Sequence, residues 1–325
     1  MNAIHQLITY ELKRYHKIGV NNFIISFIIG VIWLYGFRAV VIDYLYPIMF
    51  EYSTNKYFIA ITVGGTSIGA YTFANLFFGF LYYNEFSYIE QFKTNTDPWP
   101  WKENPKTWPR KLVGTILRNI LCTGIILPSM IYLSSVVRKS KYRLDLESMP
   151  SVSEMLSQIY FILFIDDLIS HFVHRALHIP YLYKLFHTQH HEYDTTIGIA
   201  SLHVHWFEYI TSNLLPSVIG SLLLGTRVHI ISTLAYTIVK NFNSVENHCG
   251  YDFPLYPIRL LPLSIGGNYH DFHHSHNAGC YSTHFIYWDF LFQTCNYYFK
   301  IKDEQDKAKE SKLLKEADEL KQKTG

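Results

Sequence analysis

The chain has 325 residues, of which 49% are hydrophobic, 17% aromatic and 17% charged, with a formal net charge of +2 at neutral pH. So balanced a charge gives no electrostatic reason to bind nucleic acid, and charged residues are scarce beside the quarter typical of soluble domains. The four cysteines, Cys122, Cys249, Cys280 and Cys295, have no paired spacing, which argues against a disulfide framework and against a thiolate metal site.

In chain order, residues 1–21 mix Glu11, Lys13, Arg14 and Lys17 and lack a short apolar core before a cleavage site. The uncharged run Asn22 to Phe37 therefore reads as a retained signal anchor, and the basic residues before it favour a cytoplasmic N-terminus. Tyr57 to Asn84 is uncharged and longer than the roughly 20 residues that span a bilayer. It returns the basic loop Glu85 to Lys111 to the cytoplasm. Leu112 to Val137 is interrupted only by Arg118. Either it crosses, leaving Arg138, Lys139, Lys141 and Arg143 on the lumenal side against the positive-inside rule, or it is re-entrant.

Met155 to Ile165 flows through Asp166 and Asp167 into the first histidines, and Trp206 to Gly225 is joined to Val228 to Phe242 by a short turn at Thr226 and Arg227. The charged tail from Lys302 to Lys323 carries Leu313, Leu314, Ala317 and Leu320 at helical spacing and reads as a solvated helix. Its end, Lys321-Gln-Lys-Thr-Gly325, matches the lysine-x-lysine-x-x pattern of endoplasmic-reticulum retrieval signals. The expected fold is all-α: a polytopic membrane helical bundle with a cytoplasmic helical cap carrying the histidines. The expected organisation is a transmembrane region over 1–154, a histidine-bearing catalytic domain over 155–300 and a charged helical tail over 301–325.

Fifteen of the seventeen histidines lie between His171 and His284. Most sort into short boxes: His174-Arg-Ala-Leu-His178, His187-Thr-Gln-His190-His191 and His270-Asp-Phe-His273-His274, with His248 between the last two. Imidazole is the commonest neutral metal ligand, and offsets of three and four put side chains on one helical face. Eight boxed histidines and His248 exceed what one ion takes and suit two, which favours oxygen chemistry at a di-iron centre. Zinc hydrolysis is the alternative on the same residues. Asp166, Asp167, Glu192, Glu208, Glu246, Asp252 and Asp271 are interleaved with the boxes, and some are expected to receive the second ring N–H of a ligand. His5, His16 and His229 have no partner in the pattern and read as ordinary polar residues.

The first two boxes, extended to Tyr183-Lys-Leu-Phe-His187-Thr-Gln-His190-His191-Glu192, closely resemble the fatty acid hydroxylase/sterol desaturase superfamily. His248-Cys-Gly-Tyr-Asp-Phe-Pro254, Tyr269-His-Asp-Phe-His-His274 and Tyr287-Trp-Asp-Phe290 are similar to its C4-methylsterol oxidase and cholesterol 25-hydroxylase branch. The resemblance covers about Asp166 to Thr294 and implies metal ligands at His174, His178, His187, His190, His191, His248, His270, His273 and His274. The family's histidine-proline-x-glutamate element stands here as His205-Trp-Phe-Glu208, which adds His205 to the ligand set although Trp206 replaces the proline. His203 falls outside the family pattern, and His171 reads as a structural residue on a helix face. His276 and Cys280 lean toward the 25-hydroxylases.

The resemblance further implies two iron ions, O2 as oxidant and a sterol reached from the bilayer of the endoplasmic reticulum. Gly64-Gly65 and Gly69 lie inside an apolar run and read as helix packing, so no dinucleotide fingerprint is present. Electrons are therefore expected from a separate partner, which the resemblance implies is cytochrome b5, supplied from NAD(P)H by its reductase. The expected activity is that of a C4-methylsterol oxidase, with a sterol side-chain hydroxylase, dealkylase or desaturase as alternatives. A membrane subunit that keeps the fold without catalysis is the competing class.

Overall fold

The computed structural model describes residues 3–55, 57–94, 97–137, 142–308 and 311. It is all-α, with 76% of the chain helical and no strand among the described residues. The longer helices are α1 (Ala3–Gly36), α2 (Phe58–Asn84), α3 (Trp108–Ile120), α4 (Leu127–Val137), α5 (Val152–Leu177), α6 (Leu215–Leu224), α7 (Ile230–Asn247) and α8 (Gly267–His276). Four segments are long and apolar enough to cross a membrane: Ile18–Phe50, Trp108–Leu133, Val152–Leu177 and Trp206–Arg227. A helix suits that setting because it satisfies its own backbone polar groups where water is absent. Only 11% of the first segment is buried inside the protein, and Phe27, Ile28 and Ile32 point outward. A surface this apolar belongs in lipid, and the chain is a multi-pass membrane protein.

Tyr57 to Asn84 forms α2, a 27-residue helix whose Ile61, Phe73, Leu76 and Phe80 are exposed. Val228 to Phe242 lies in α7, the centre of the bundle, where Ile230, Ile231, Leu234 and Ala235 are buried and α2 and α5 pack on either side. Leu112 to Val137 is one unbroken helical run through a π-helical turn at Leu121–Ile126, which leaves no re-entrant reversal. Arg138, Lys139, Lys141 and the terminal Lys321 to Gly325 lie outside the described residues.

Three helices end together. The side chain of Ser151 caps the start of α5 by accepting from Glu154 N, and α5 stops at His178. His229 caps α7 through Ile231 N, and α7 stops at His248. Asn277, in the left-handed conformation, closes α8 directly after the third box. A helix C-terminus carries partial negative charge, so three such ends make one electronegative corner.

The loop beyond α8 is stapled to α5 by Asp167, which is fully buried. Its carboxylate accepts from the backbone N–H groups of Thr283 (2.7 Å), His284 (2.8 Å) and Phe285 (3.2 Å). Nearby, Asp166 pairs with Lys240 of α7 at 2.9 Å and accepts from Tyr236 Oη at 2.6 Å, tying α5 to α7. Asp167→Ala strands three buried donors and is expected to cost at least about 3 kcal/mol. The loss should register as a lower unfolding midpoint in detergent, with Asp167→Asn losing less because one acceptor remains.

Candidate metal centre

The electronegative corner holds nine imidazoles in two groups. His174, His178, His187, His191 and His273 form one, and His190, His248, His270 and His274 the other; within each group the nitrogens lie within 4.8 Å of one another. His174 and His178 are one turn apart at the end of α5, and His270 and His274 are one turn apart on α8. The second box divides. His190 and His191 are neighbours in a short 3₁₀ turn, which throws consecutive side chains in different directions, and each joins a different group. His273 and His274, consecutive on α8, also divide between the groups.

Within the first group, His187 Nε2 lies 3.2 Å from His174 Nε2 and 3.1 Å from both His178 Nε2 and His191 Nε2. His273 Nε2 is 3.2 Å from His178 Nε2 and from His191 Nε2. In the second group, His248 Nε2 is 2.9 Å from His270 Nε2 and 3.3 Å from His190 Nε2, and His274 Nε2 is 3.2 Å from His270 Nε2.

Several rings are locked from behind. His174 Nδ1 donates to the Tyr281 carbonyl (3.0 Å), His273 Nδ1 to the Gly279 carbonyl (2.6 Å) and His248 Nδ1 to the Ser244 carbonyl (2.8 Å). A carbonyl can only accept, so the proton sits on Nδ1 and the inward Nε2 of the neutral ring presents a bare lone pair. His187 Nδ1 stands 2.9 Å from Glu208 Oε1, both side chains being buried. Gly279 delivers its carbonyl at φ +67°, and a Cβ there would collide with the Thr294 carbonyl oxygen, so no other residue fits this turn without strain.

Protonation does not hold the rings together. Burial, reinforced by neighbouring imidazoles, pushes His178 down to about 2 and His191 to about 3. Burial, partly offset by the bond to Ser244, takes His248 to about 4. Neutral lone pairs that converge repel each other unless a cation lies between them. Two imidazole nitrogens bonded to one ion at about 2.1 Å stand about 3.0 Å apart at a right angle and about 3.4 Å apart at a tetrahedral one. The observed separations of 3.1 to 3.3 Å fall in that interval and the shortest, 2.9 Å, lies just below it, so the residues present fit two metal ions.

The family model described as fatty acid hydroxylase matches residues 159–294. The very-long-chain aldehyde decarbonylase GL1-8 of Oryza sativa subsp. indica is 31% identical over 215 residues, 65% of this chain and 78% of that protein. This chain belongs to the fatty acid hydroxylase family. Methylsterol monooxygenase 2-2 of Arabidopsis thaliana is 36% identical over 157 residues, 47% of this chain and 58% of that protein. Methylsterol monooxygenase 1 of Danio rerio is 31% identical over 198 residues, 59% of this chain and 65% of that protein. No solved structure matches the chain.

Of the ten expected ligands in this fatty acid hydroxylase family chain, nine are brought together and His205 is not. His205 Nδ1 accepts from Phe207 N at 3.2 Å, and the ring packs against Phe186; it serves as a helix cap. Among the interleaved carboxylates, Glu208 reaches a boxed imidazole, whereas Asp167 bonds backbone and Asp271 accepts from Thr196 Oγ1. His171 is buried against Phe292, 3.4 Å from Asp289 Oδ1. His203 bridges Glu192 and Thr115, and His229 caps α7. The backing carbonyls of Tyr281, Gly279 and Ser244 leave no mark in side-chain chemistry, and only Gly279 hints at its place.

Glu208→Ala removes the carboxylate behind His187 and is expected to weaken metal affinity about 10- to 100-fold, with Glu208→Gln retaining more. Chelator competition on the purified protein measures this, and His273→Ala should abolish loading of the five-histidine group altogether.

Proposed function

We propose that this chain is a non-haem di-iron oxidase that uses O2 to oxidise a membrane sterol, most closely in the manner of a C4-methylsterol oxidase. The observation that carries this reading is the gathering of nine neutral imidazoles into groups of five and four at the end of a membrane bundle. Imidazole suits zinc as well as iron. The paired arrangement and the relatives named monooxygenases favour iron.

The iron pair would supply the oxidising power for breaking an unactivated C–H bond. The chain's own residues hold and orient that pair: backbone carbonyls and Glu208 fix the rings, and burial keeps water from the inward nitrogens. A cavity of about 100 Å³ runs beside α7 between apolar residues such as Val63, Leu127, Leu202 and Leu214. Its lining residues Thr233, Thr237, Lys240 and Ser244 follow one face of α7, and His248 is the next position on that row. This gives an apolar substrate a route toward the second group, although the cavity admits only part of a sterol. In this reading electrons come from NAD(P)H through cytochrome b5 and its reductase, and the enzyme resides in the endoplasmic-reticulum membrane with its site facing the cytoplasm.

One observation favours a second reading. The rice aldehyde decarbonylases match over 215 and 209 residues at 31% identity, as similar to this chain as the Danio rerio methylsterol monooxygenase 1, which makes a long-chain aldehyde the competing substrate. Lipid profiles of cells lacking the chain, and of the same cells carrying it, separate the two. Accumulation of 4-methylsterols that the restored chain clears is the expected result. Unchanged sterols with accumulating long-chain aldehydes would transfer the assignment to the second substrate.

A further inference from the structure

A second cavity, of about 420 Å³, lies at the foot of α1 and shares no residue with the histidine groups. It sits where α1 changes character: the charged turn Glu11 to Arg14 precedes it and the first apolar segment starts at Ile18, one of its lining residues. Its floor is Arg259, whose side chain is only 5% exposed. Arg259 Nη2 donates to Glu246 Oε1 at 2.5 Å and lies 4.0 Å from Asp252 Oδ1. Its Nε and Nη1 have no partner among the described residues. A guanidinium is a fixed fork of donors, and two buried N–H groups without acceptors call for an anion in the cavity.

The exposed rim mixes both signs, with Asp303 and Asp306 beside Lys13 and Lys302. Asp303 and Asp306 lie 3.7 and 2.7 Å from Lys13 Nζ, with side chains 48% and 56% exposed. An ion pair so open to solvent contributes little and exchanges readily. The rings of Tyr10 and Tyr298 line the same cavity, and Lys302 Nζ, 5.8 Å from the Tyr298 centroid, shows that face taking a cation. Buried donors at one end, with carboxylates and aromatics at the other, match a ligand that carries both charges.

We propose that this cavity binds the headgroup of a zwitterionic membrane phospholipid, its phosphate on Arg259 and its ammonium at Asp303 and Asp306. The acyl chains would then follow the apolar segment that begins at Ile18. The site would tether α1 to the loop around Arg259 through a lipid, alongside the direct bond from Arg14 Nη1 to the Arg259 carbonyl oxygen.

The test uses the full-length protein in detergent, stripped of phospholipid. It is titrated with dihexanoyl phosphatidylcholine below its micelle concentration, glycerophosphocholine, dihexanoyl phosphatidic acid and inorganic phosphate, following the unfolding midpoint. Saturable stabilisation by the phosphatidylcholine, with phosphatidic acid and inorganic phosphate at least tenfold weaker, is the expected result. Glycerophosphocholine binding more weakly than the lipid would show that the acyl chains contribute. The double variant Arg259→Gln with Glu246→Gln should weaken phosphatidylcholine at least tenfold. Because that change is buried, Asp303→Lys with Asp306→Lys at the exposed rim provides an independent check and should turn the preference toward phosphatidic acid. Absence of saturable binding, equal binding of phosphatidylcholine and inorganic phosphate, or unchanged preference in the rim variant would overturn the proposal.

Discussion

The structure turns on the convergence of neutral imidazole lone pairs in a place with little water. Carbonyl acceptors behind His174, His273 and His248 commit the protons of these three rings to the outer nitrogens, so their inner nitrogens offer bare lone pairs. The rest of the fold serves to keep them there. The C-terminal ends of α5, α7 and α8 meet at the same corner and add partial negative charge. Asp167 staples the loop that carries the Tyr281 carbonyl, and the strained turn at Gly279 aims a second one. Such an arrangement is costly in the absence of cations and strongly favourable with them, which couples metal binding to the stability of the whole corner.

The membrane accounts for why so much of this machinery is backbone and histidine. Four segments are long and apolar enough to cross a membrane, and in lipid an unpaired charge is expensive. Of the carboxylates buried inside, Asp166 pairs with Lys240 and Glu246 with Arg259, while Asp167 is met by backbone N–H groups. Imidazole is neutral at neutral pH when buried, so nine of them can be packed at the end of a membrane bundle without assembling nine charges. A carboxylate-rich site in the same position would bring its own electrostatic penalty before any metal arrived.

The histidine spacing made the site legible in advance, and the division of the ligands was not legible. His174 with His178 and His270 with His274 read directly as pairs on one helical face. His273 and His274 part because consecutive residues of α8 point about 100° apart, whereas the separation of His190 from His191 depends on a short 3₁₀ turn, which no pattern of residue types encodes. His205 matched a family element, yet the structure uses it to cap the turn that brings Glu208 to His187. The apolar runs announced a membrane bundle, but the run from Val228 to Phe242 gave no sign that it would form the centre of that bundle, with its apolar face covered by α2 and α5. Burial on all sides and burial in lipid select the same residues, so only the packing separates them.

The central claim is that each imidazole group holds one iron. Metal analysis of the purified full-length protein, combined with X-ray absorption at the iron edge, tests it most directly. The account predicts two irons per chain in a nitrogen-rich shell. A single zinc per chain, or a metal-free protein that stays folded with both histidine groups intact, would contradict it.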